Sequence, residues 1–412
     1  MTAEPLPATA TPTGLSERAL GPDLARGVML LFIALANSHY FLVGERYVGG
    51  FPADGSWLDS AVAWLISTFV DGRAFPMFGL LFGYGVAHIV RRNAYLGPRV
   101  VNTILRRRSL ILVVVGLLDA VLFYAGDILA MYGVLLFVGI LLVRRSDGWL
   151  LAVAAVFFLL NALPGVDSMS ISTTGPDAAA LPPDLATMFS ERAVVAAIVA
   201  FGGPIGFMCP FAIGLWAGRR QVLERPAEHR VLLRIVAAVG IAAAVLGAQP
   251  AALLVAGVYE RPADGVLQWF GPLHDVTGVL GGFGYAALIC LVATRLRNHG
   301  LVAAIAATGQ RSMTCYLLQS PVWFVVFTPF LLGLADQLTV ASTALLAAGV
   351  WAASVVLAEW MRRTGRRGPF ETLTRRVTYS ARPGSAAPGS AAPGGAAPGS
   401  SPSGSSAPGS AR

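Results

Sequence analysis

Apolar runs about as long as a bilayer-spanning helix recur roughly ten times between Val28 and Met361, separated by short polar connections. A helix needs ~20 mostly apolar residues to cross a hydrocarbon core of ~30 Å. One such run fits the buried core helix of a soluble protein. A series of them cannot all be hidden in a chain of 412 residues, which has too little interior. The composition agrees: 55% hydrophobic, 13% charged, with a mean hydropathy of +0.66. The expected fold is all-α, a polytopic membrane bundle of about ten transmembrane helices plus one or two interfacial or re-entrant helices.

The spans read as Val28–Val43, Ala74–Val90, Ser109–Ala125, Ile128–Val143, Trp149–Leu163, Ala193–Ala217, Val231–Val258, Val276–Ala293, Met313–Leu334 and Val340–Met361. Leu58–Val70 is too short to cross and reads as an interfacial or re-entrant helix, as does Leu301–Ala307. Gly202-Gly203-Pro204 and Pro210 interrupt the sixth span, a pattern that membranes tolerate only where protein or water satisfies the freed backbone groups. Ala34-Leu35-Ala36 resembles a leader-peptidase site. Asp23 ahead of it and the apolar run continuing through Val43 argue for a retained anchor. Three parts follow: a loosely ordered segment 1–22 rich in Pro, Thr and Ala, a transmembrane domain 23–380, and a disordered cytoplasmic tail 381–412 of Pro-Gly-Ser and Ala-Ala-Pro-Gly repeats.

The net charge of +8 does not point to nucleic acid. Every basic residue is arginine, and most lie in short loops beside apolar runs, as a topology signal and an anionic-lipid contact would require. Dense clusters fall at Arg91–Arg108, Arg144-Arg145, Arg219–Arg230, Arg295–Arg297 and Arg362–Arg376, while the alternate loops are poor in arginine. Ten spans put all the clusters and both termini in the cytoplasm of a multi-pass cell-membrane protein. Cys209, Cys290 and Cys315 each sit in an apolar run, with no disulfide or metal spacing, and read as packing residues.

Ionisable groups inside spans cost ~2.5–3.5 kcal/mol on insertion scales, so each is a functional candidate. His39, after Asn37 and Ser38, has the chemistry of a proton shuttle or general base, set against a plain carbonyl-bonded histidine near the headgroups. Asp119 lies ~9 Å below the outer end of its span at helical rise and needs a proton or a cationic partner. Asp127, in the outer turn, suits either a helix cap or a chemical role. Asp23 and Arg26 stand one turn apart and suit an ion pair. Asp71 and Arg73 mark the polar break after Val70, and His274-Asp275 opens the eighth span, placed to face His39. The chain has no P-loop, no H-E-x-x-H and no nucleophile elbow.

Several strings together resemble YeiB-like membrane proteins, a family of unknown function. They are Asp23-Leu24-Ala25-Arg26-Gly27 with the run to Asn37; Gly72-Arg73-Ala74-Phe75 with Leu80–Gly85; Gly116–Leu118 with Gly126–Leu129 and Tyr132; Gly309–Ser320, which holds Gln319; and Gly368-Pro369-Phe370-Glu371. The likeness spans about residues 18–380. It implies a distant relation to transmembrane acyltransferases, including the lysosomal enzyme that acetylates terminal glucosamine of heparan sulfate. By that analogy of fold, the chain is expected to move an acyl group from cytoplasmic acyl-CoA to a sugar or envelope lipid, holding no permanent cofactor. His39, Asp119 and Asp127 would supply acid–base chemistry; Asp23, Arg26, Asn37, Arg73, Tyr132 and Gln319 would bind substrate. Two departures stand out. Asp119 occupies a position where the family usually has histidine, and Arg73 replaces a common lysine, keeping the charge but changing its geometry. The competing readings are a transporter or exporter of a small metabolite or lipid, and a non-catalytic membrane partner. All these readings place the polar groups in one hydrated chamber.

Overall fold

A computed structural model of the chain describes residues 19–165, 168–296 and 298–379. The first 18 residues and the tail from 380 lie outside the described residues. Helices α1 (Leu20–Ser38), α2 (Trp57–Phe69), α3 (Ala74–Arg92), α4 (Pro98–Leu122), α5 (Leu129–Gly139) and α6 (Asp147–Asn161) form the first half. They are followed by α7 (Leu185–Gly202), α8 (Pro204–Arg219), α9 (Arg230–Val255), the single turn α10 (Asp264–Leu267), α11 (Phe270–Arg295), α12 (Gly300–Gln310), α13 (Ser312–Leu317), α14 (Gln319–Phe327), α15 (Val340–Arg363) and α16 (Pro369–Tyr379). The all-α expectation stands. Six helical segments are long and apolar enough to cross a membrane: Leu20–Phe41, Trp57–Arg92, Leu185–Gly202, Arg230–Val255, Asp264–Arg295 and Val340–Arg363. Four shorter apolar helices accompany them, so the expected ten is not reached by this measure.

The loops sort to two ends. At one, Arg91 pairs with Glu224 (2.8 Å), Arg144 donates to the Pro98 carbonyl (2.7 Å), and Arg219 and Arg220 clasp Asp147 (3.1 and 2.9 Å). Arg311 joins them by donating to the Arg366 carbonyl (2.7 Å). The arginine clusters after α3, α5, α8 and α15 therefore share one end. At the other, Val43 N–H donates to Ala335 O (3.0 Å), Gly49 N–H to Ser172 O (2.8 Å) and Gly165 N–H to Gln268 O (3.0 Å). Large aliphatic side chains such as Leu246, Leu345 and Val356 project outward from α9 and α15, as a lipid-facing surface requires. The three cysteines are free and buried among apolar neighbours, as their sequence context indicated.

Helix α2 opens with a capping box between Ser56 and Asp59. Asp59 Oδ1 also accepts from Ala341 N–H (2.9 Å) at the start of α15, while the Ser67 carbonyl meets His274 on the first turns of α11. Helix α2 thus starts at the arginine-poor end and dips inward, its Phe69 carbonyl accepting from the Tyr285 hydroxyl (3.1 Å) midway along α11, and α3 completes the crossing. Gly72, at φ +72°, makes the break between them, a conformation that glycine adopts without strain. A second device was not foreseen: Tyr47–Val48 and Phe51–Pro52 pair as a small antiparallel hairpin whose Gly49-Gly50 turn holds both φ angles positive.

Three boundaries differ from expectation. Helix α7 begins at Leu185, eight residues before Ala193, because Asp184 accepts from Thr187 N–H (2.9 Å) and caps it. The interruption between α7 and α8 falls at Gly203, whereas Pro210 sits inside α8. The segment from Met313 divides into α13 and α14, and its helix stops at Phe327. Beyond Pro329, Leu332 and Leu334 N–H groups fold back onto Val325 and Val326 carbonyls, helped by Gly333 at φ +57°.

Candidate functional site

At the arginine-rich end, α1, α3, the start of α5, α13 and α16 enclose a cavity of about 300 Å³. Its outer part carries Arg26, Arg311, Arg367 and Arg375. Its inner part is walled by Met29, Phe78, Leu81, Phe82 and Tyr132. Asp23 and Arg26 form the expected ion pair (3.0 Å), and Arg26 also donates to the Leu81 carbonyl (3.2 Å), tying α1 to α3. Helix α16 closes one side. Its Glu371 accepts from the Met313 and Thr314 N–H groups (2.8 and 3.1 Å) and from Thr314 Oγ1 (2.5 Å), so it caps α13 from another element. At the rim, burial works against ionising Glu224, but hydrogen bonds from His88 and Arg91 hold its carboxyl below the usual range. His88 is therefore part of a structural ion pair.

The cavity reaches Ile128, Leu129 and Tyr316. The Tyr316 hydroxyl accepts from Ile128 N–H (3.2 Å) and also reaches the Asp127 carboxylate. Asp127 Oδ1 accepts from Leu129 N–H (2.7 Å) and, more weakly, Ala130 N–H (3.4 Å). The capping reading is therefore fulfilled, and the second oxygen stays available to other partners. Asp119 lies beside it, and its Oδ2 accepts from Ser320 Oγ (2.7 Å). Buried Arg192 supplies a positive field to Asp119 while donating to the Ala179 and Leu122 carbonyls (3.0 and 3.2 Å). Gln319 belongs to the neighbouring wall, donating to the Leu30 carbonyl (3.2 Å).

The histidines form a different cluster. His39 is buried at the end of α1, its ring stacked on Phe51 of the hairpin (centroids 3.7 Å apart, planes 9° apart), with Nε2 4.0 Å from Asp71. That separation is too long for a hydrogen bond. Arg73 is fully buried. Its guanidinium donates to the Asp71 and Ala244 carbonyls (2.7 Å to the latter) and meets His274 Nε2 at 2.7 Å. The same Nε2 lies 3.0 Å from the Ser67 carbonyl, and Nδ1 faces Asp275 Oδ1 at 3.3 Å. Asp275 in turn accepts from Ser168 Oγ (3.0 Å).

The sequence-derived residues thus separate into three groups. Asp23, Arg26 and Tyr132 line the cavity; Asp119 and Asp127 sit just beyond its inner end, near Gln319; His39 and Arg73 join Asp71 and His274–Asp275 under the hairpin. Asn37 is half-buried near the end of α1. The expectation of one chamber is corrected: His39 and Asp119 have different neighbours. Their segments meet through the rings of Phe41 and Tyr124 (5.6 Å), an apolar junction. The anticipated approach of His274–Asp275 to the His39 side does occur, through Asp71 and Arg73. Sequence reasoning passed over Tyr316, Ser320, Arg192 and Glu371. The four-residue spacing of Tyr316 and Ser320 was a usable signal, since it puts both on one helical face. Arg192, like Arg73, directly precedes an apolar run on the arginine-poor side, and that position was a usable signal.

No group of three or more metal-ligating side chains occurs among the described residues. Residues 217–381 match the family described as Protein of unknown function (DUF418). Across most of its length the chain is similar to two proteins. One is the "Uncharacterized protein YxaH" of Bacillus subtilis (strain 168), 24% identical over 404 residues, covering 89% of this chain and 96% of that protein. The other is the "Uncharacterized protein YeiB" of Escherichia coli (strain K12), 26% identical over 398 residues, covering 89% and 97%. The YeiB-like resemblance read from the motifs stands.

Proposed function

We propose that this protein is a membrane acyltransferase that takes an acyl group from acyl-CoA at its arginine-rich end and delivers it to a sugar or lipid acceptor. The observation that carries this reading is the continuity between an arginine-lined mouth, an apolar passage and a carboxylate pair. A thioester donor needs those three environments in that order. Its phosphates suit Arg367, Arg375 and Arg311, its aliphatic arm suits Met29, Phe78 and Phe82, and its carbonyl comes to rest near Tyr132 and Tyr316.

The acceptor hydroxyl or amine gives its proton through Tyr316 to the Asp119–Asp127 pair as its oxygen or nitrogen attacks the thioester carbon. The carbon–sulfur bond breaks, and the departing thiolate takes a proton back from the pair. One base is regenerated per turnover, so no permanent cofactor is required. Asp119 then stands in for the family's histidine, and His39 serves structure. By the positive-inside rule the arginine-rich end faces the cytoplasm. Both ends of the described chain, the start of α1 and α16, border the cavity there, which supports a reading of cell-membrane location with both termini cytoplasmic.

The test is transfer of labelled acetyl from acetyl-CoA to membrane glycans or lipids by purified protein. Activity in the parent and its loss in Asp127→Asn support the reading. Absence of transfer, together with no rise in thermal stability on adding acyl-CoA, rejects it. The α2–α3 break, with buried Arg73 beside it, supports a second reading, transport of a small metabolite or lipid. Proteoliposome flux without any acyl-CoA requirement selects that alternative.

A further inference from the structure

Helices α9 and α11 run antiparallel in close contact. A side chain at Gly240 would meet Leu280 and Gly284, and one at Gly247 would meet Thr277. Toward the arginine-rich end the outer faces of the two helices form an outward-facing groove of about 680 Å³. It is lined by Ala238, Ala242 and Val245 on α9 and by Leu288 and Leu291 on α11, with Arg234 at one end. From Arg234 to Leu246 the helix rises about 18 Å at ~1.5 Å per residue, close to the depth of one leaflet of a ~30 Å core.

The charges around this groove differ from their neighbours. Arg91, Arg219, Arg220, Arg362 and Arg363, at the same end, pair with Glu224, Asp147 and Glu359. Arg230 lies one turn before Arg234 on the same face of α9. The register set by Gly240 and Gly247 brings Arg295 of α11 opposite Arg230. All three are exposed, and none has a hydrogen bond or ion pair among the described residues. A trough of hydrocarbon character that ends in three uncompensated guanidiniums is complementary to one kind of molecule.

We propose that this groove is a specific binding site for an anionic phospholipid, with an acyl chain along Ala238–Val245 and the headgroup phosphate among Arg230, Arg234 and Arg295. The site is on the outer surface of the bundle, separate from the cavity, and does not depend on the acyltransferase reading. Each arginine near an anionic headgroup contributes roughly a fivefold gain in affinity, so selectivity over a zwitterionic lipid exceeds tenfold.

The experiment titrates the full-length detergent-solubilised protein with phosphatidylglycerol or phosphatidylcholine of identical chains and counts bound lipid by native mass spectrometry. The parent is expected to hold one phosphatidylglycerol at least tenfold more tightly than phosphatidylcholine. The triple change Arg230→Gln, Arg234→Gln, Arg295→Gln is expected to abolish that preference. Ala242→Trp, which fills the groove from its exposed side and leaves the charges in place, is expected to weaken phosphatidylglycerol by a similar factor. Lipid-free thermal unfolding confirms that both variants are folded. Equal affinity for the two lipids in the parent, a preference that survives the triple change, or undiminished binding by Ala242→Trp would each overturn the proposal.

Discussion

The Asp119–Asp127 pair and the His39–Asp71–Arg73–His274 cluster lie toward the same arginine-poor end, and both put ionisable groups at membrane depth. They are built differently. The carboxylates stand one side chain, Tyr316, from a cavity, and each has a chemical partner that leaves room for a proton to move. The histidine cluster is closed over by Phe51 and filled by the Arg73 guanidinium, whose partners are backbone carbonyls and a ring nitrogen. A buried charge held by the Asp71 carbonyl of the α2–α3 break, the Ala244 carbonyl of α9 and His274 of α11 fastens helices together. A pair of acids beside a cavity is instead the place where the proposed acid–base chemistry would act.

The sharpest way to break this contrast is to exchange the roles. Asp127→Asn and Asp119→Asn should each lower acyl transfer by about 10²–10⁴-fold, the usual range for a lost acid–base group. His39→Ala should leave the rate per folded molecule within a few-fold. Labelled-acetyl assays normalised to monodisperse protein decide it, and a His39→Ala collapse equal to that of Asp127→Asn would reverse the assignment. Next in size, Arg73→Met removes the charge that three segments solvate and should destabilise the protein by about 2–3 kcal/mol. Arg73→Lys should restore little of that, because a point ammonium cannot reach the same carbonyls and ring. Detergent thermal unfolding reads both.

A smaller effect tests the wall of the cavity. Gly309 of α12 lies so close to the Asp23 carbonyl of α1 that a Cβ there has no room. Gly309→Ala should therefore cost about 1–3 kcal/mol by forcing the helices apart, and should weaken acyl-CoA binding along with stability. The smallest is a pH effect at the rim. Glu224 titrates lower in the folded protein than in the unfolded chain, where a glutamate titrates near 4.5. Its stabilisation is complete above that value and disappears as pH falls through the lowered one. Stability measured down from neutral pH should fall less steeply in Glu224→Gln than in the parent, and identical slopes would exclude the Glu224–Arg91–His88 contact as its source.

Much of the architecture was legible because the bilayer imposes a simple code. Long apolar runs must be helices, and the alternating arginine clusters do gather at one end. The Asp23–Arg26 pair and the cap by Asp127 depend on residues three or fewer positions apart, so spacing alone disclosed them. Grouping the remaining polar residues was harder. His39 and Asp119 each sit near the arginine-poor end of an apolar run and look equivalent in one dimension. Which neighbour each meets depends on how α1, α4, α11 and α13 rotate about their axes, and hydropathy carries little information on rotation when all faces are apolar. The hairpin that covers His39 was equally hidden, its signal being two glycines in a polar loop.

The sequence by itself determined that this chain lives among lipids, roughly where its helices run, and which loops belong together, because backbone hydrogen bonding and charge partition act locally. The tertiary structure alone decided that Asp119 and Asp127 lie side by side across the end of α4 and its turn while the imidazoles go elsewhere, and that the cavity approaches only the former. Side-chain convergence is a property of packing between distant segments, and no periodicity within one segment encodes it.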